Sequence, residues 1–282
     1  MKIFGDYHMH TVYSDGRATV LEMAVAAKKR ELLEIAITDH GYSKILNGMR
    51  KRNIDKTIGE IESARSELPI LLGIESNLTN TRGGIDVPKN LRDRFQIVLF
   101  GVHLNVAYSP WAILTFLLPN IFWRAIHFTP RFQKRYNTKL VKRAIEKNQI
   151  DIWTHPNRYM RVNVVEIAKT CQERGTLVEL NARRISFRPI DFERMAATGA
   201  QFIIGSDAHA PRRVGEISRA EEFLKNCDYN PQNIINLNTT YTEWKNAKLS
   251  NKSQIGNQTI ASNAPNGSVP KRSWLFRKRL PS

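Results

Sequence analysis

The histidines of this chain are concentrated directly after short apolar segments that are typical of β-strands. Six of the seven follow this pattern, and only His127 does not. Three acidic residues occupy equivalent positions. The candidate metal ligands are His8, His10, Asp15, His40, Glu75, His103, His155, Asp207 and His209. Imidazole and carboxylate groups in this number indicate a polynuclear metal site, and such donors suit Zn, Mn or Fe better than Mg.

The spacing of these residues fits side chains that converge on bound cations. Residues two apart in a strand point to the same side, so His8 and His10 can hold one cation together. Asp6 shares that side and is a candidate acceptor that orients one of the imidazoles. Asp207 and His209 repeat the spacing with oxygen and nitrogen donors. A single histidine at a strand end is more often structural, so the prediction depends on the number of such residues.

A cluster of cations could carry out the hydrolysis of phosphate esters. A bound cation lowers the pKa of water from about 16 to about 7, which supplies hydroxide at neutral pH. Further cations would bind the non-bridging oxygens and the leaving oxygen of a phosphate, which favours in-line attack on phosphorus. No Ser/His/Asp triad, nucleophilic Cys motif or Gly-rich phosphate loop in the sequence indicates a different chemistry.

Arginines that follow the predicted strands are candidate substrate contacts. Arg158 comes shortly after His155, Arg183 follows the sixth strand, and Arg212 comes shortly after His209. The guanidinium group suits bidentate binding of phosphate oxygens. We therefore predict that these arginines bind the substrate, with Arg158 and Arg183 as the leading candidates.

The elements that must position these residues alternate between strand and helix. Predicted strands are Lys2–His10, Leu33–Thr38, Ile70–Ser76, Ile97–Val102, Ile150–Thr154, Leu177–Leu180 and Phe202–Gly205. Predicted helices are Thr19–Arg30, Ile54–Glu67, Thr138–Asn148, Val164–Arg174 and Ile190–Thr198. This alternation is typical of parallel βα units, and seven strands favour a closed or nearly closed α/β barrel over an open sheet. Active sites of such barrels lie at the carboxyl ends of the strands.

Length and charge set the organisation of the chain. Its 282 residues include 43 Lys and Arg against 26 Asp and Glu, a formal net charge of +17. We predict one domain over residues 1–250, with an insertion at about 105–150. The insertion carries eight basic residues against one acidic residue, and residues 251–282 carry six basic residues and no acidic residue. The Asn, Ser, Gly and Pro content of residues 251–282 predicts a disordered basic tail.

Cysteine use and hydropathy bear on location. Cys171 and Cys227 are too few for a disulfide framework, so a reducing cytoplasm is expected. No signal peptide is recognisable at the start of the sequence. The longest apolar run, Trp111–Trp123, has thirteen residues, whereas a membrane span needs about 20. We therefore predict a protein of the cytoplasm without a transmembrane segment.

Seven short motifs resemble, in order, those of the PHP (polymerase and histidinol phosphatase) family. The resemblance runs from about residue 5 to residue 215. It implies a distorted (β/α)7 TIM-like barrel that holds two or three divalent metal ions in a cleft. The motifs are Tyr7–Thr11, Ser14–Gly16, Thr38–Gly41, Gly73–Glu75, Gly101–His103, Thr154–Pro156 and Gly205–His209.

The resemblance also implies which residues would bind each metal. The first metal would take His8, His10, Glu75 and Asp207. The second would take His103 and His155 with Glu75 as a bridge. The third would take Asp15, His40 and His209. The hydroxide that attacks the substrate would be held by Glu75, Asp207, His103 and His155.

The leading functional hypothesis is a metal-dependent phosphatase that acts on phosphate monoesters of small molecules. The alternative is a PHP-type exonuclease or phosphodiesterase that acts on DNA or RNA ends. A third hypothesis is a catalytically inactive metal-binding scaffold, although every expected ligand position holds a ligand-type residue.

The insertion leaves several interpretations open. Because it lies between His103 and His155, it must lie over or beside the cleft. Its apolar part and its basic part fit a lid on the barrel, a dimer or membrane-surface contact through 111–123, or a nucleic-acid platform. The basic and aromatic residues of the tail offer a second possible contact with a membrane or nucleic acid.

Overall fold

Seven parallel strands follow one another in chain order in a single sheet. Residues that follow the first and last strands meet through a parallel bridge between Met9 and Ala208. In this bridge the His10 N–H donates to the Ala208 carbonyl oxygen at 2.8 Å. The sheet is thereby nearly closed, which confirms the predicted (β/α)7 TIM-like barrel. The strands are β1 (Gly5–Asp6), β2 (Glu34–Ile37), β3 (Ile70–Asn77), β4 (Ile97–Gly101), β5 (Ile152–Trp153), β6 (Leu177–Asn181) and β7 (Phe202–Gly205).

Helices lie between the strands and cover the sheet. Every strand residue is buried, as expected for a parallel sheet that helices cover. The π-helical turn Ile113–Leu117 joins α3 to α4. The α-helices are α1 (Val20–Lys29), α2 (Lys51–Ala64), α3 (Pro110–Ala112), α4 (Leu118–Ala125), α5 (Arg131–Lys147), α6 (Val164–Arg174), α7 (Pro189–Ala196) and α8 (Ser218–Leu224).

Local sequence signals explain several helix ends. Thr19 and Glu22 form a capping box at the start of α1, which satisfies backbone N–H groups of the first turn. Asn163 accepts a hydrogen bond from the Glu166 N–H at the start of α6. That helix ends at Gly175, whose φ of 71° is left-handed and favours glycine. The predicted bounds of α6 are therefore confirmed.

Some predicted elements were wrong in extent. Only Gly5–Asp6 pairs with β2, because residues 8–10 leave that ladder for the bridge to Ala208. Helix α5 begins at Arg131, well before the predicted start at Thr138, because its first turns bury the polar residues Gln133 and Asn137. The helical segments within 110–125 and helix α8 were not predicted.

This computed structural model describes residues 1–250, apart from the side chains of residues 51 and 52. The barrel belongs to a unit that spans Met1–Tyr241. The described residues of the second unit, 242–250, are helical. The predicted domain boundary at residue 250 falls inside this second unit. The predicted disordered tail, 251–282, lies outside the described residues. Among the described helices, none has the length and apolar character needed to span a membrane.

Candidate metal centre

The six histidines predicted as ligands converge at the carboxyl ends of the strands. His8 and His10 follow β1, His40 follows β2, His103 follows β4, and His155 follows β5. His209 lies in the loop after β7. The rings pack closely, with centroids 4.3 Å apart for His10 and His40 and 4.9 Å apart for His103 and His155. This convergence confirms the prediction that the carboxyl ends bring the histidines together.

Glu75 lies at the middle of this cluster. It is buried near the end of β3, and its two carboxylate oxygens face different imidazoles. Its Oε1 lies 2.7 Å from His155 Nε2 and 3.5 Å from His103 Nε2. Its Oε2 lies 2.8 Å from His40 Nδ1 and 3.5 Å from His8 Nε2. A carboxylate with ligand-type groups at both oxygens has the arrangement needed to bridge two cations.

Within the described residues, three groups of ligand atoms could each hold a metal ion, with all donor atoms within 4.8 Å of one another. His10 and His40 each belong to two groups, whereas the family resemblance assigned each of them to one metal. Which ligand binds which metal therefore stays a prediction. The groups are His10, Asp15, His40 and His209; His8, His10 and Asp207; and His40, Glu75 and His103.

Buried polar atoms that make no well-aligned hydrogen bond test whether the cluster fits cations, although two of them, Glu75 Oε2 and His40 Nδ1, lie 2.8 Å apart. The described part of the chain has six such side-chain atoms, and five of them belong to this cluster. Leaving polar atoms buried and unpaired costs free energy, which a bound cation would remove. The residues present therefore fit divalent metal ions. The five atoms are His8 Nε2, His10 Nε2, Asp15 Oδ1, His40 Nδ1 and Glu75 Oε2.

Burial and neighbouring charges shift the pKa values of these residues in both directions. Burial alone would raise the pKa of Glu75, but His103, His8 and His40 lower it well below its ordinary value. Burial lowers the pKa of His10 and of His103 well below the ordinary value. These directions favour an ionised carboxylate and neutral imidazoles at His10 and His103, which are the forms that bind metals. Burial alone would also lower the pKa of His8 and of His40, but neighbouring carboxylates, Glu179 and Glu75 for His8 and Glu75 and Asp15 for His40, raise it above the ordinary value. A cation would therefore have to displace a proton from these two imidazoles.

A buried carboxylate in β6, Glu179, orients two of the candidate ligands. Its Oε1 lies 2.6 Å from His8 Nδ1, and its Oε2 accepts the backbone N–H of His155 at 2.6 Å. Asn181 Nδ2 donates to the same Oε2 at 3.1 Å. When Nδ1 of His8 donates to Glu179, its Nε2 is left free for a metal. Asn77 Oδ1 lies 2.6 Å from His103 Nδ1 and orients that ring in the same way.

Asp6 was wrongly predicted to orient an imidazole. It accepts hydrogen bonds from the backbone N–H groups of Ser206 and Gly215 and from the hydroxyl group of Ser206, and so it joins β1 to the residues after β7. Glu179 was missed, although an acidic residue inside an otherwise apolar strand was a usable signal. Asn77 carries no comparable signal in the sequence.

Two of the three predicted arginines lie at the cluster. Arg158 Nη1 lies 2.7 Å from Asp207 Oδ2, and Arg183 Nη1 lies 3.2 Å from Asp207 Oδ1. Burial alone would raise the pKa of Asp207, but His8, His10 and Arg158 hold it well below the ordinary range. Arg212 is exposed and lines a groove beside α1, so its predicted contact with substrate stays a prediction.

Lys44 supplies a further positive charge at the cluster. It was not predicted, and its buried Nζ lies 3.0 Å from Asp15 Oδ2. Residues 43–45 pair with residues 105–107, so this lysine is held against the start of the insertion. Lys44, Arg158 and Arg183 thus place three cationic groups beside the candidate ligands.

The insertion borders the cluster, as expected from its position between His103 and His155. The Tyr108 hydroxyl donates to the His103 carbonyl oxygen at 2.5 Å. Arg124 Nη1 donates to the Arg158 carbonyl oxygen at 3.0 Å, and its guanidinium lies 5.8 Å from the centroid of the Tyr159 ring. These contacts attach the insertion to residues that surround the candidate metal ligands.

The barrel, its histidine and carboxylate cluster and the neighbouring arginines are the parts that a metal-dependent phosphoesterase, an enzyme that hydrolyses phosphoric ester bonds, requires. Residues 6–261 match the sequence profile of the PHP domain. Because this match covers most of the chain, the protein belongs to the PHP domain family.

Known proteins similar to this chain include phosphatases and a polymerase. A protein named "Probable phosphatase" from Caldanaerobacter subterraneus is 27% identical over 267 residues, which cover 91% of this chain and 95% of that protein. The DNA polymerase/3′-5′ exonuclease PolX of Bacillus subtilis is 24% identical over 83% of this chain but only 39% of its own length. Among solved structures, the histidinol phosphate phosphatase of Lactococcus lactis, complexed with zinc, L-histidinol and phosphate, has a TM-score of 0.55. Its sequence identity is 14%, and the match covers 82% of this chain and 95% of that chain. This likeness supports the fold.

Proposed function

We propose that this protein is a phosphatase that hydrolyses phosphate monoesters of small molecules with two or three divalent metal ions. The observation that carries the proposal is the position of Glu75, whose two oxygens lie between the imidazoles of separate strands. Unpaired buried atoms around it fit cations. Zn, Mn and Fe are the ions that this donor set suits best.

The proposed ligands are the nine residues predicted from the sequence. Ions bound by them would supply an activated water molecule and positive charge for the phosphate oxygens. Glu75 and Asp207 supply carboxylate donors, while His103 and His155 approach Glu75 from the next two strands. Glu179 and Asn77 keep three of the ligands in place and thereby limit the reorganisation that binding requires. Ligand identities are His8, His10, Asp15, His40, Glu75, His103, His155, Asp207 and His209.

Arg158 and Arg183 are proposed to bind the phosphate group of the substrate. Both guanidinium groups already lie at Asp207, one on each carboxylate oxygen. Arg158 also lies against Tyr159, with its guanidinium 5.2 Å from the ring centroid, and this contact restricts the side chain. A guanidinium held in this way can donate to phosphate oxygens without first losing much conformational freedom.

The preference for a monoester over a nucleic acid is supported by the relatives that match along their whole length. Several carry the name "Probable phosphatase", and the histidinol phosphate phosphatase acts on a small phosphorylated molecule. The match to PolX keeps the exonuclease hypothesis open, and an inactive scaffold is the remaining alternative.

A substrate panel tests the proposal with the full chain loaded with Mn or Zn. The panel comprises p-nitrophenyl phosphate, bis-p-nitrophenyl phosphate, sugar phosphates, nucleotides and 5′-labelled oligonucleotides. We expect the monoesters to be hydrolysed fastest. Faster degradation of oligonucleotides would replace the proposal with the nuclease hypothesis, and no turnover of any substrate would favour the scaffold.

Substitution of Glu75 tests the metal mechanism. Glu75→Gln keeps the size of the side chain but removes its charge and one acceptor oxygen. We expect kcat to fall at least 10²-fold, because loss of one preorganised electrostatic contact typically costs this much. The control is Glu62→Gln, the same change on an exposed residue of α2, which should leave kcat unchanged. Full activity in Glu75→Gln would contradict the mechanism.

We also propose that the protein acts in the cytoplasm. Cys171 and Cys227 are both free thiols, which a reducing compartment maintains. Intact cells can be treated with a thiol-blocking reagent, and the extracted protein then unfolded and separated by electrophoresis without reductant. We expect both cysteines to be recovered as thiols, and a disulfide-linked form would contradict this location.

A further inference from the structure

The helical segment of the insertion exposes its largest apolar residues. Trp111 is 65% exposed, Leu114 is 60% exposed and Leu118 is 50% exposed. Ile121 and Phe122 continue this series one turn later and are also exposed. Their spacing of three or four residues places them on one face of the helical segment. This face therefore presents a continuous apolar stripe to the surroundings of the protein.

The opposite face of the segment is buried and partly polar. Ala112, Phe116 and Asn120 are buried at a spacing of four residues. The Asn120 side chain donates to Asn137 Oδ1 at 3.0 Å and accepts from Asn137 Nδ2 at 2.8 Å. A surface helix of a globular protein normally buries its apolar stripe and exposes its polar residues. This segment buries Ala112, Phe116 and the polar Asn120 but leaves its longer apolar stripe exposed, which indicates that the stripe has a partner outside the barrel.

Aromatic residues extend the stripe around the turn between α4 and α5. The half-buried ring of Trp123 packs edge-on against Phe128 and Phe132, at centroid distances of 6.0 and 6.3 Å. Phe128 and Phe132 are themselves exposed. Of the eighteen large apolar residues that are exposed in the described part of the chain, nine lie between residues 111 and 132. Apolar patches of this kind on monomeric proteins mark interaction sites.

Positive charge lies on the exposed face of α5, the helix that follows the apolar residues in the chain. Helix α5 exposes Arg131, Lys134, Arg135 and Lys139, whose spacing places them on one face. Among the described residues, none of these four forms an ion pair with an acidic group. Glu146 is the one acidic residue within 105–150. The charge of this region is therefore available to an anionic partner.

We propose that this apolar and basic surface, residues 111–139 and here called the docking face, binds the surface of an anionic lipid bilayer. Helices that lie in a membrane interface combine Trp, Phe and Leu on one side with Lys and Arg beside them. The apolar side chains enter the boundary between headgroups and acyl chains, and the cations bind the lipid phosphates. This proposal is independent of the substrate, because it concerns binding alone.

A second copy of the chain fits the docking face less well. A two-fold symmetric contact would bring the same patch of each copy together. Arg131, Lys134 and Arg135 of one copy would then face the like charges of the other, with no acidic group of the region to compensate. Nucleic acid fits less well for another reason. Its binding proteins use aromatic rings that stack on bases, whereas Leu114 and Leu118 at the centre of the stripe are aliphatic.

Docking would bring the edge of the candidate metal centre towards the bilayer. Arg124 lies at the end of α4 and contacts both Arg158 and Tyr159. Tyr159 in turn lies 5.3 Å from His103, measured between ring centroids. The docking face and the cleft therefore share a border, and a bilayer held by one lies beside the other.

Vesicle flotation with the full chain tests the proposal. Vesicles of phosphatidylcholine are compared with vesicles that also contain about one third phosphatidylglycerol, at low and high salt. We expect binding to the anionic vesicles, weakened by salt because surface charges are screened. Equal binding to both kinds of vesicle, or to neither, would overturn the proposal.

Two sets of substitutions locate the contact. Leu114→Ser with Leu118→Ser removes the centre of the stripe and should reduce vesicle binding at least tenfold. Arg131→Gln with Arg135→Gln removes two cations of α5, and each removed cation should weaken binding roughly fivefold. The matched control is Leu33→Ser with Ile190→Ser, exposed apolar residues outside the docking face. Circular dichroism melting curves establish that each variant is folded.

Further outcomes would assign the face to another partner. If both sets of variants bound vesicles as strongly as the wild type, the proposal would be overturned. Other residues of the chain would then be responsible for the binding. Sedimentation could show that the wild type is a dimer and that the variant Leu114→Ser with Leu118→Ser is a monomer. This result would assign the docking face to self-association. The wild type could instead bind an oligonucleotide but not vesicles. If Leu114→Ser with Leu118→Ser then abolished the oligonucleotide binding, the docking face would be assigned to nucleic acid.

Discussion

Replacing Glu179 by glutamine should weaken metal binding although Glu179 is not itself a proposed ligand. The carboxylate receives three polar contacts, at 2.6 Å from His8 Nδ1, 2.6 Å from the His155 N–H and 3.1 Å from Asn181 Nδ2. A carboxylate accepts at both oxygens, whereas a carboxamide accepts at one end and donates at the other. In the Glu179→Gln variant, either orientation of the carboxamide therefore loses at least one of the two short contacts.

Each orientation of the new amide disturbs a proposed ligand. If its NH2 group faces His8, Nδ1 becomes the acceptor and the proton moves to Nε2, which can then no longer bind a metal. If its NH2 group faces His155, two donors oppose each other and the loop after β5 must shift. Loss of such an orienting contact typically costs 10- to 100-fold in metal affinity. That corresponds to about 1.4–2.7 kcal/mol of binding free energy.

The assay is a competition titration of Zn or Mn against a chelating dye, together with kcat measured at saturating metal. We expect the dissociation constant for the metal to rise 10- to 100-fold, with activity partly restored by excess metal. Glu62→Gln on the exposed side of α2 is the control and should leave the dissociation constant unchanged. A dissociation constant within twofold of the wild type would refute the reasoning about Glu179.

Three further predictions concern the barrel interior, the arginines and the metals. Gly205→Ala places a Cβ too close to Glu179 Oε1, so the melting temperature and the metal affinity should both fall. At Gly59 an added Cβ meets nothing within 4 Å, so Gly59→Ala should stabilise α2 by up to about 1 kcal/mol. Arg158→Ala should lower kcat/KM for p-nitrophenyl phosphate roughly 10- to 100-fold, and Arg212→Ala should lower it less. Equal effects of the two substitutions would contradict the proposal that Arg158 is the phosphate contact. Zn or Mn at about 100 times the dissociation constant should add about 2.7 kcal/mol to the free energy of unfolding; an unchanged melting curve would contradict metal binding by the folded barrel.

Much of the barrel and the main part of the candidate site could be predicted from the sequence. Strand positions were recognisable because parallel strands buried on both faces appear as short apolar runs. His40, His103 and His155 were recognisable as site residues because each follows such a run closely. Prediction failed where hydrogen bonds replaced apolar periodicity, as in the first turns of α5, where Gln133 and Asn137 are buried.

That the histidines meet at one candidate site followed from their positions after successive strands, because parallel strands of one barrel all end on the same face. How those residues are oriented depended on the folded barrel. Glu179 lies 171 positions along the chain from His8, and the contact between them follows from the closure of the sheet. Folding also set Trp111 and Leu114 facing outwards and Asn120 facing inwards. Periodicity shows that a helix has two faces, but packing against the rest of the chain selects which one is buried.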